Sequence, residues 1–157
     1  MVEADENERA GLASRFDVSA VQSLRAELIL SKESDAIRAS GTLGADLVQA
    51  CAVSGDDFPV TISEPIDLRF VQESTLRATQ NEEGEIEIDL TADESDEIEY
   101  SGDAFDLGEA VAQTLALAID PYAEGPEADA ARQSAGITDE DTPSGPLAEA
   151  LAALKKD

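Results

Sequence analysis

The stretch Leu47-Val-Gln-Ala-Cys51-Ala-Val-Ser-Gly55-Asp-Asp-Phe58-Pro-Val60-Thr-Ile62-Ser-Glu64-Pro65-Ile66-Asp-Leu68-Arg-Phe70 decides the fold. Its second half places Phe58, Val60, Ile62, Ile66, Leu68 and Phe70 at every second position, interrupted only by Glu64. A period of two puts such residues on one face of a β-strand. Leu43, Ala45, Leu47, Cys51 and Val53 alternate in the same way before the break. Between the two runs, Ser54-Gly55-Asp56-Asp57 has the chemistry of a hairpin loop, with a glycine for positive φ and short polar side chains that bond nearby N–H groups. A loop centred between Gly55 and Asp56 sets Val53 facing Phe58, Cys51 facing Val60 and Leu43 facing Leu68, all on the apolar face. A slip of one residue turns one strand's apolar set to water. Pro65 brings no donor to a ladder, so a bulge or an edge is expected just beyond it.

The pattern extends outward in both directions. Toward the N-terminus, Ile37, Ala39, Gly41 and Leu43 run into the hairpin's first strand, predicting one long strand bent near Gly41 or Gly44. Leu24, Ala26, Leu28 and Leu30 alternate with Arg25, Glu27 and Ile29, and the polar turn Ser31 to Asp35 joins them to it, giving three strands in meander order. Ala4 to Phe16 reads as a helix with Asp5 as N-cap and Leu12, Ala13 and Phe16 on one side. Toward the C-terminus, Gln72 to Gly84 is a polar connection. Ile86, Ile88 and Leu90 make a fourth strand, and Ile98 and Tyr100 begin a fifth. Asp106-Leu-Gly-Glu109 has the capping-box pattern, and Leu107, Val111, Leu115 and Ala118 share a helix face that Leu117 and Ile119 widen, up to a stop at Asp120-Pro121. A small Ala-rich helix follows Pro126 and ends at Gly136. After a linker-like Thr138 to Pro146, Leu147, Leu151 and Leu154 line a last short helix with Lys155 and Lys156 at its dipole's negative end.

The expected class is therefore α+β: an antiparallel β-sheet meander of about five strands with a packed C-terminal-half helix and short flanking helices. Residues 1–136 read as a single domain, and 137–157 as an acidic linker and short amphipathic helix that either folds back or waits for a partner groove.

The chain has 157 residues, 36 acidic and 10 basic, for a net charge of −26. Binding to phosphate is driven by lysine and arginine displacing counterions, so direct RNA contact is not expected from this balance. Solubility in a salty cytoplasm and attraction of basic proteins both remain open as reasons for the charge. No apolar run is long enough to span a membrane and no signal-peptide pattern is present, so a cytoplasmic location is expected. There is no histidine, which excludes Ser-His-Asp and Cys-His catalysis and His-bearing zinc sites. Neither a phosphate-binding G-x-x-x-x-G-K-[S/T] nor a G-x-G-x-x-G occurs. Asp93-x-Ser95-x-Glu97 has Ile98 where a calcium loop needs glycine. Ten of the eighteen residues from Glu82 to Glu99 are acidic. This run, Glu82, Glu83, Glu85, Glu87, Asp89, Asp93, Glu94, Asp96, Glu97 and Glu99, is the candidate binding surface, set against the plainer reading of a solvated face.

Two blocks together resemble a known bacterial family. One is Leu47-Val-Gln-Ala-Cys51 with Phe58-Pro-Val-Thr-Ile-Ser-Glu-Pro-Ile-Asp-Leu-Arg-Phe70. The other runs from Ile98-Glu-Tyr-Ser-Gly-Asp103 through Phe105-Asp-Leu-Gly-Glu109 to Leu115-Ala-Leu-Ala-Ile-Asp-Pro-Tyr122. Glu8-Arg-Ala-Gly-Leu-Ala-Ser-Arg-Phe16, Ser23-Leu-Arg-Ala-Glu-Leu28 and Pro146-Leu-Ala-Glu-Ala-Leu-Ala-Ala-Leu-Lys155 extend the likeness over most of the chain. In order and spacing these look like the YceD family, the large ribosomal RNA subunit accumulation proteins, and are similar to its alphaproteobacterial members. The resemblance implies a non-enzymatic ribosome biogenesis factor, needed for accumulation of large-subunit (23S) ribosomal RNA, with no cofactor. Many members carry Cys-x-x-Cys in the hairpin. Here Cys51-Ala-Val-Ser54 lacks the second thiol, so no metal site is expected. Members also carry a segment ahead of the first helix, and a strand there is expected to be missing from this chain.

The charge then points to basic ribosomal proteins or pre-ribosomal particles as partners. Two other readings stand beside this one. The chain is an acidic, chaperone-like binder of basic proteins unrelated to ribosomal RNA, or an RNA-processing enzyme built on carboxylate-held magnesium.

Overall fold

The computed structural model describes residues 1–34, 36–73 and 96–137. The chain forms two compact units, one of Met1–Gln49 with Pro59–Asp120 and one of Ala50–Phe58 with Pro121–Asp157, the latter described as far as residue 137. The class is α+β, with a five-stranded sheet in the order β1-β2-β3-β4-β5. The strands are β1 (Val2–Glu3), β2 (Ala20–Lys32), β3 (Ala36–Ala50), β4 (Asp57–Gln72) and β5 (Asp96–Tyr100). Among the described residues the helices are α1 (Glu6–Phe16), α2 (Leu107–Ala118) and α3 (Ala128–Ser134).

The period-two pattern predicts the buried face correctly. Ala39, Leu43, Ala45 and Leu47 of β3 and Ile62, Ile66, Leu68 and Phe70 of β4 all lie in one core, with Leu24 and Ala26 of β2. β2 pairs antiparallel with β3 without a break from Ser23 opposite Asp46 to Lys32 opposite Ile37. No register shift falls at Gly41 or Gly44, and the one in this pair lies in β2, between Val21 and Ser23. Gly41 serves another purpose: a Cβ there would stand 1.9 Å from the Glu27 carbonyl oxygen, so β2 and β3 approach too closely for any side chain.

The hairpin loop differs from expectation. Cys51 N–H donates to the Asp56 carbonyl at 2.8 Å, and Gly55 N–H donates to the Cys51 carbonyl at 2.9 Å, with Gly55 at φ 77°. Cys51 thus meets Asp56 rather than Val60, four residues away, and Val53 sits in the turn. The side chains of Asp46 and Thr61, hydrogen-bonded at 2.8 Å, follow the same displaced register. An even displacement keeps every residue on its face, so the apolar pattern tolerates both registers and the loop's own hydrogen bonds choose between them. Pro65 lies on β4 before the stretch Leu68–Gln72 that β5 accompanies.

Two strands depart from the expected meander. Val2 and Glu3 pair with Ala26 and Arg25, so a short strand does precede α1; two residues are too few to show a period. β5 runs parallel to β4, from Leu68 opposite Asp96 to Gln72 opposite Tyr100. Alternation tells which face a strand buries, not its direction or its neighbour, and a parallel strand needs a long connection. The fourth strand expected at Ile86 to Leu90, the connection before it from residue 74 on, and the segment 138–157 lie outside the described residues.

α1 opens on a complete capping box, Asp5 Oδ1 accepting from Glu8 N–H and Glu8 Oε2 from Asp5 N–H. It sets Leu12, Ala13 and Phe16 against the core as the spacing predicts. α2 buries Val111 and Leu115, with Ala110 and Ala112 beside them. Leu117, expected to widen that stripe, is 86% exposed, because six residues beyond Val111 the helix has turned it away from the sheet.

Candidate functional site

Among the described residues no group of three or more Cys, Asp or Glu side chains is placed to hold a metal ion. Of the acidic run, Asp96, Glu97 and Glu99 are described, and all three are exposed on β5. Glu82, Glu83, Glu85, Glu87, Asp89, Asp93 and Glu94 lie outside the described residues.

Glu97 and Glu99 have different surroundings. Glu97 accepts from Arg69 at 2.5 Å, and Arg69 also reaches Glu33 at 3.1 Å. Glu33 in turn lies 3.9 Å from Arg38, which binds Asp67 at 2.5 Å and holds its carboxyl below the usual carboxylate range, through hydrogen bonding more than simple charge. The outer face of the sheet therefore carries a chain of alternating charges across β3, β4 and β5. Nearby, Asp46 takes hydrogen bonds from the Thr61 and Ser23 hydroxyls at 2.8 Å each, which also lowers its carboxyl.

Glu99 is placed differently. It borders a cavity of about 200 Å³ where β5 meets the start of α2, lined also by Phe70, Ile98, Tyr100, Phe105, Asp106 and Glu109. The local sequence builds this corner. Alternation turns Ile98 and Tyr100 inward from β5, and Gly102 at φ 84° bends the chain. Phe105 then stacks on Phe70 with ring centroids 4.2 Å apart, and Tyr100 tilts against Phe105 at 5.5 Å. Asp106 follows at once as the N-cap of α2, accepting from Glu109 N–H at 2.9 Å. Half of the expected capping box forms. The Glu109 carboxylate does not return to the cap but meets the Arg15 guanidinium in two bonds of 2.8 and 2.7 Å, tying α2 to α1. Those bonds, with a further one from Gln113, bring the Glu109 carboxyl down to about 2 against the opposing effect of burial. A second hollow, of about 380 Å³, lies between α1 and α2 over Leu12, Leu24 and Val111, with Arg15 at its edge.

The sequence singles out Glu97 and Glu99 as candidate site residues, and reads Tyr100 and Asp106 only as a strand start and a helix cap. A signal was present. The chain has only four phenylalanines and two tyrosines, and two of the six fall within five residues of each other around a glycine turn.

The Cys51 loop belongs to the second unit. Its buried thiol receives N–H groups from Val53 and Ser54, each at 3.4 Å. The Ser54 hydroxyl is the strongest influence on it, followed by the N–H groups of Ser54 and Gly125, and together they bring the thiol down to about 7 although burial opposes them. Ser54 thus occupies the place of the second thiol of a Cys-x-x-Cys pair, and it serves the sulfur as a donor. One thiol with a hydroxyl and backbone amides does not fit zinc, which requires four N, S or O ligands.

No helix among the described residues is long and apolar enough to cross a membrane. No curated protein and no solved structure matches the chain. The sequence profile of one family, described as Large ribosomal RNA subunit accumulation protein YceD, matches residues 39–156, from the middle strand of the sheet through the hairpin, β5 and both later helices. With more than half of its length so matched, the chain belongs to the YceD family, and with it to ribosome biogenesis.

Proposed function

We propose that the protein serves the accumulation of large-subunit ribosomal RNA without catalysis, in the cytoplasm, by engaging basic ribosomal proteins or pre-ribosomal particles rather than bare RNA. The observation that carries this reading is the state of its described arginines. Among the described residues Arg15, Arg25, Arg38, Arg69 and Arg132 each pair with a carboxylate, and Arg9 donates to the Ala4 carbonyl. Guanidinium groups so engaged must give up their carboxylates before they can displace counterions from a phosphate backbone. The net charge of −26 instead attracts cationic protein surfaces and speeds encounter with them.

Pull-down from a lysate at about 50 mM and about 300 mM salt tests this, since screening weakens such contacts as ionic strength rises. Basic ribosomal proteins should be recovered at low salt and lost at high salt, and RNase treatment should not remove them. Recovery of large-subunit RNA with no basic protein would overturn the proposal.

A further inference from the structure

We infer that the free edge of β2, Glu27 to Lys32, takes up an extended basic segment of a partner protein as an added antiparallel strand. This inference rests on the proposed engagement of basic proteins and names the place and the mode. β1 covers β2 only at Arg25 and Ala26, and α1 borders the other end of the strand, at Ala20 to Gln22. From Glu27 to Lys32 one side of β2 pairs with β3, and no strand among the described residues pairs with the other. At about 3.3 Å per residue, this leaves about 20 Å of edge.

One hydrogen bond fixes which backbone groups look out from that edge. Ala4 N–H donates to the Leu24 carbonyl at 3.0 Å, so Leu24 presents its backbone to the side away from β3. The register with β3 is unbroken from Ser23 to Lys32, and along an antiparallel ladder alternate residues present their N–H and C=O groups to the same neighbour. Leu28, Leu30 and Lys32 therefore present theirs outward, while Ile29 and Ser31 bond to β3. Such edges are ordinarily blunted by proline, a bulge or charge. Here the register shift lies far back, between Val21 and Ser23, the stretch has no proline, and Lys32 guards only its end. Ile29 is instead 73% exposed and Leu30 51%. Leu28 packs on the core, so Leu30, two residues along on the same face, stands where an added strand would continue that face.

Charge selects the occupant. Two copies each carrying −26 repel, which opposes pairing of β2 with its counterpart in a second copy, whereas a cationic strand is drawn in. Glu27 is exposed, and a lysine or arginine directly opposite would pair with it. The fitting segment alternates apolar residues, opposite Leu28 and Leu30, with basic ones, opposite Glu27 and Ile29, the second of which lays its aliphatic stem along the isoleucine.

The test uses the full chain and two fluorescein-labelled octapeptides of equal charge, one alternating valine with lysine and one alternating proline with lysine, followed by anisotropy. Proline removes the N–H groups that would meet Leu28 and Leu30, so the valine peptide should bind about tenfold tighter. In hydrogen exchange followed by NMR, the valine peptide should slow the Leu28 and Leu30 amides at least about tenfold and leave those of Ile29 and Ser31, already held by β3, unchanged. Leu30→Pro deletes an N–H that β3 does not use and should bring the two peptides to within about twofold. The exchange pattern is read on the unaltered protein and does not depend on that variant folding. Equal binding of the two peptides, binding without protection of Leu28 and Leu30, or a preference that survives Leu30→Pro overturns the added strand while the broader attraction to basic proteins stands. Protection of these two amides before peptide is added overturns it as well, and a rise of that protection with protein concentration assigns the edge to a second copy. Binding of neither peptide removes both.

Discussion

Replacing Gly41 by alanine asks for room that the sheet does not have. Gly41 lies on β3 directly opposite Leu28 of β2. A Cβ at this position would lie 1.9 Å from the Glu27 carbonyl oxygen, 2.9 Å from its carbon and 3.1 Å from the Leu28 Cα. All three are backbone atoms, so no rotamer change relieves the contact. To reach even 3.0 Å, β2 must retreat from 1.9 Å by more than an ångström, which takes adjacent ladder hydrogen bonds out of their narrow distance range. Overpacking of this kind costs about 1–3 kcal/mol, and one or two weakened ladder bonds add about 1 kcal/mol each. We expect Gly41→Ala to lose about 2–4 kcal/mol, a large share of the roughly 5–15 kcal/mol that a domain has.

Gly44 provides the control three residues away in the same strand. It is exposed, and a Cβ there meets nothing within 4 Å. Gly44→Ala should be neutral or stabilising by up to about 1 kcal/mol, through reduced freedom of the unfolded chain. Urea unfolding of the two variants and the parent, with the slope as a check that the same surface is exposed, measures the difference. A Gly41→Ala protein within about 0.5 kcal/mol of the parent would refute the claim that strand proximity demands glycine.

Three further expectations follow from the side-chain geometry. Arg15→Gln removes the main influence on Glu109, whose carboxyl should rise from about 2 toward its ordinary value near 4.5 when its titration is followed by NMR. The sign is that of a depressed acid: the pair supports the fold above pH 4.5, and this support is lost as pH falls toward 2, so the variant should show a shallower acid loss of stability. Asp106→Ala removes the N-cap of α2 and should cost about 1 kcal/mol in the same urea assay, whereas Asp106→Asn keeps the acceptor and most of that stability. The Cys51 thiolate should appear near pH 7 in its ultraviolet absorbance, and Ser54→Ala should shift it upward by deleting the leading hydrogen bond. Because this acid too is depressed on folding, its contribution grows above pH 7, and Cys51→Ala should abolish a gain in stability between neutral and mildly alkaline pH.

The corner between β5 and α2 shows how far local reading reaches. Asp106 is legible as a cap from its spacing to Glu109, since capping is settled within one turn of chain. That the Glu109 side chain leaves the box for Arg15, ninety-four positions away, is not, because nothing near either residue announces the other. Likewise Glu97 and Glu99 look equivalent in the sequence. They differ because Arg69 stands beside the first and a cavity beside the second.

By itself the sequence determined the elements and their faces: the two-residue period of the hairpin strands, the capped helices, the proline stop, the surplus of carboxylates and the absence of histidine. These properties belong to neighbouring residues, and the physics that reads them acts over a few bonds. Tertiary structure alone decided the four-residue displacement of the hairpin register, the parallel course of β5, the pairing of Val2 and Glu3 with β2, and the meeting of Phe70 with Phe105. Each joins segments that alternation leaves free to slide by an even number or to run either way. Only the closing of hydrogen bonds and the filling of the core remove that freedom.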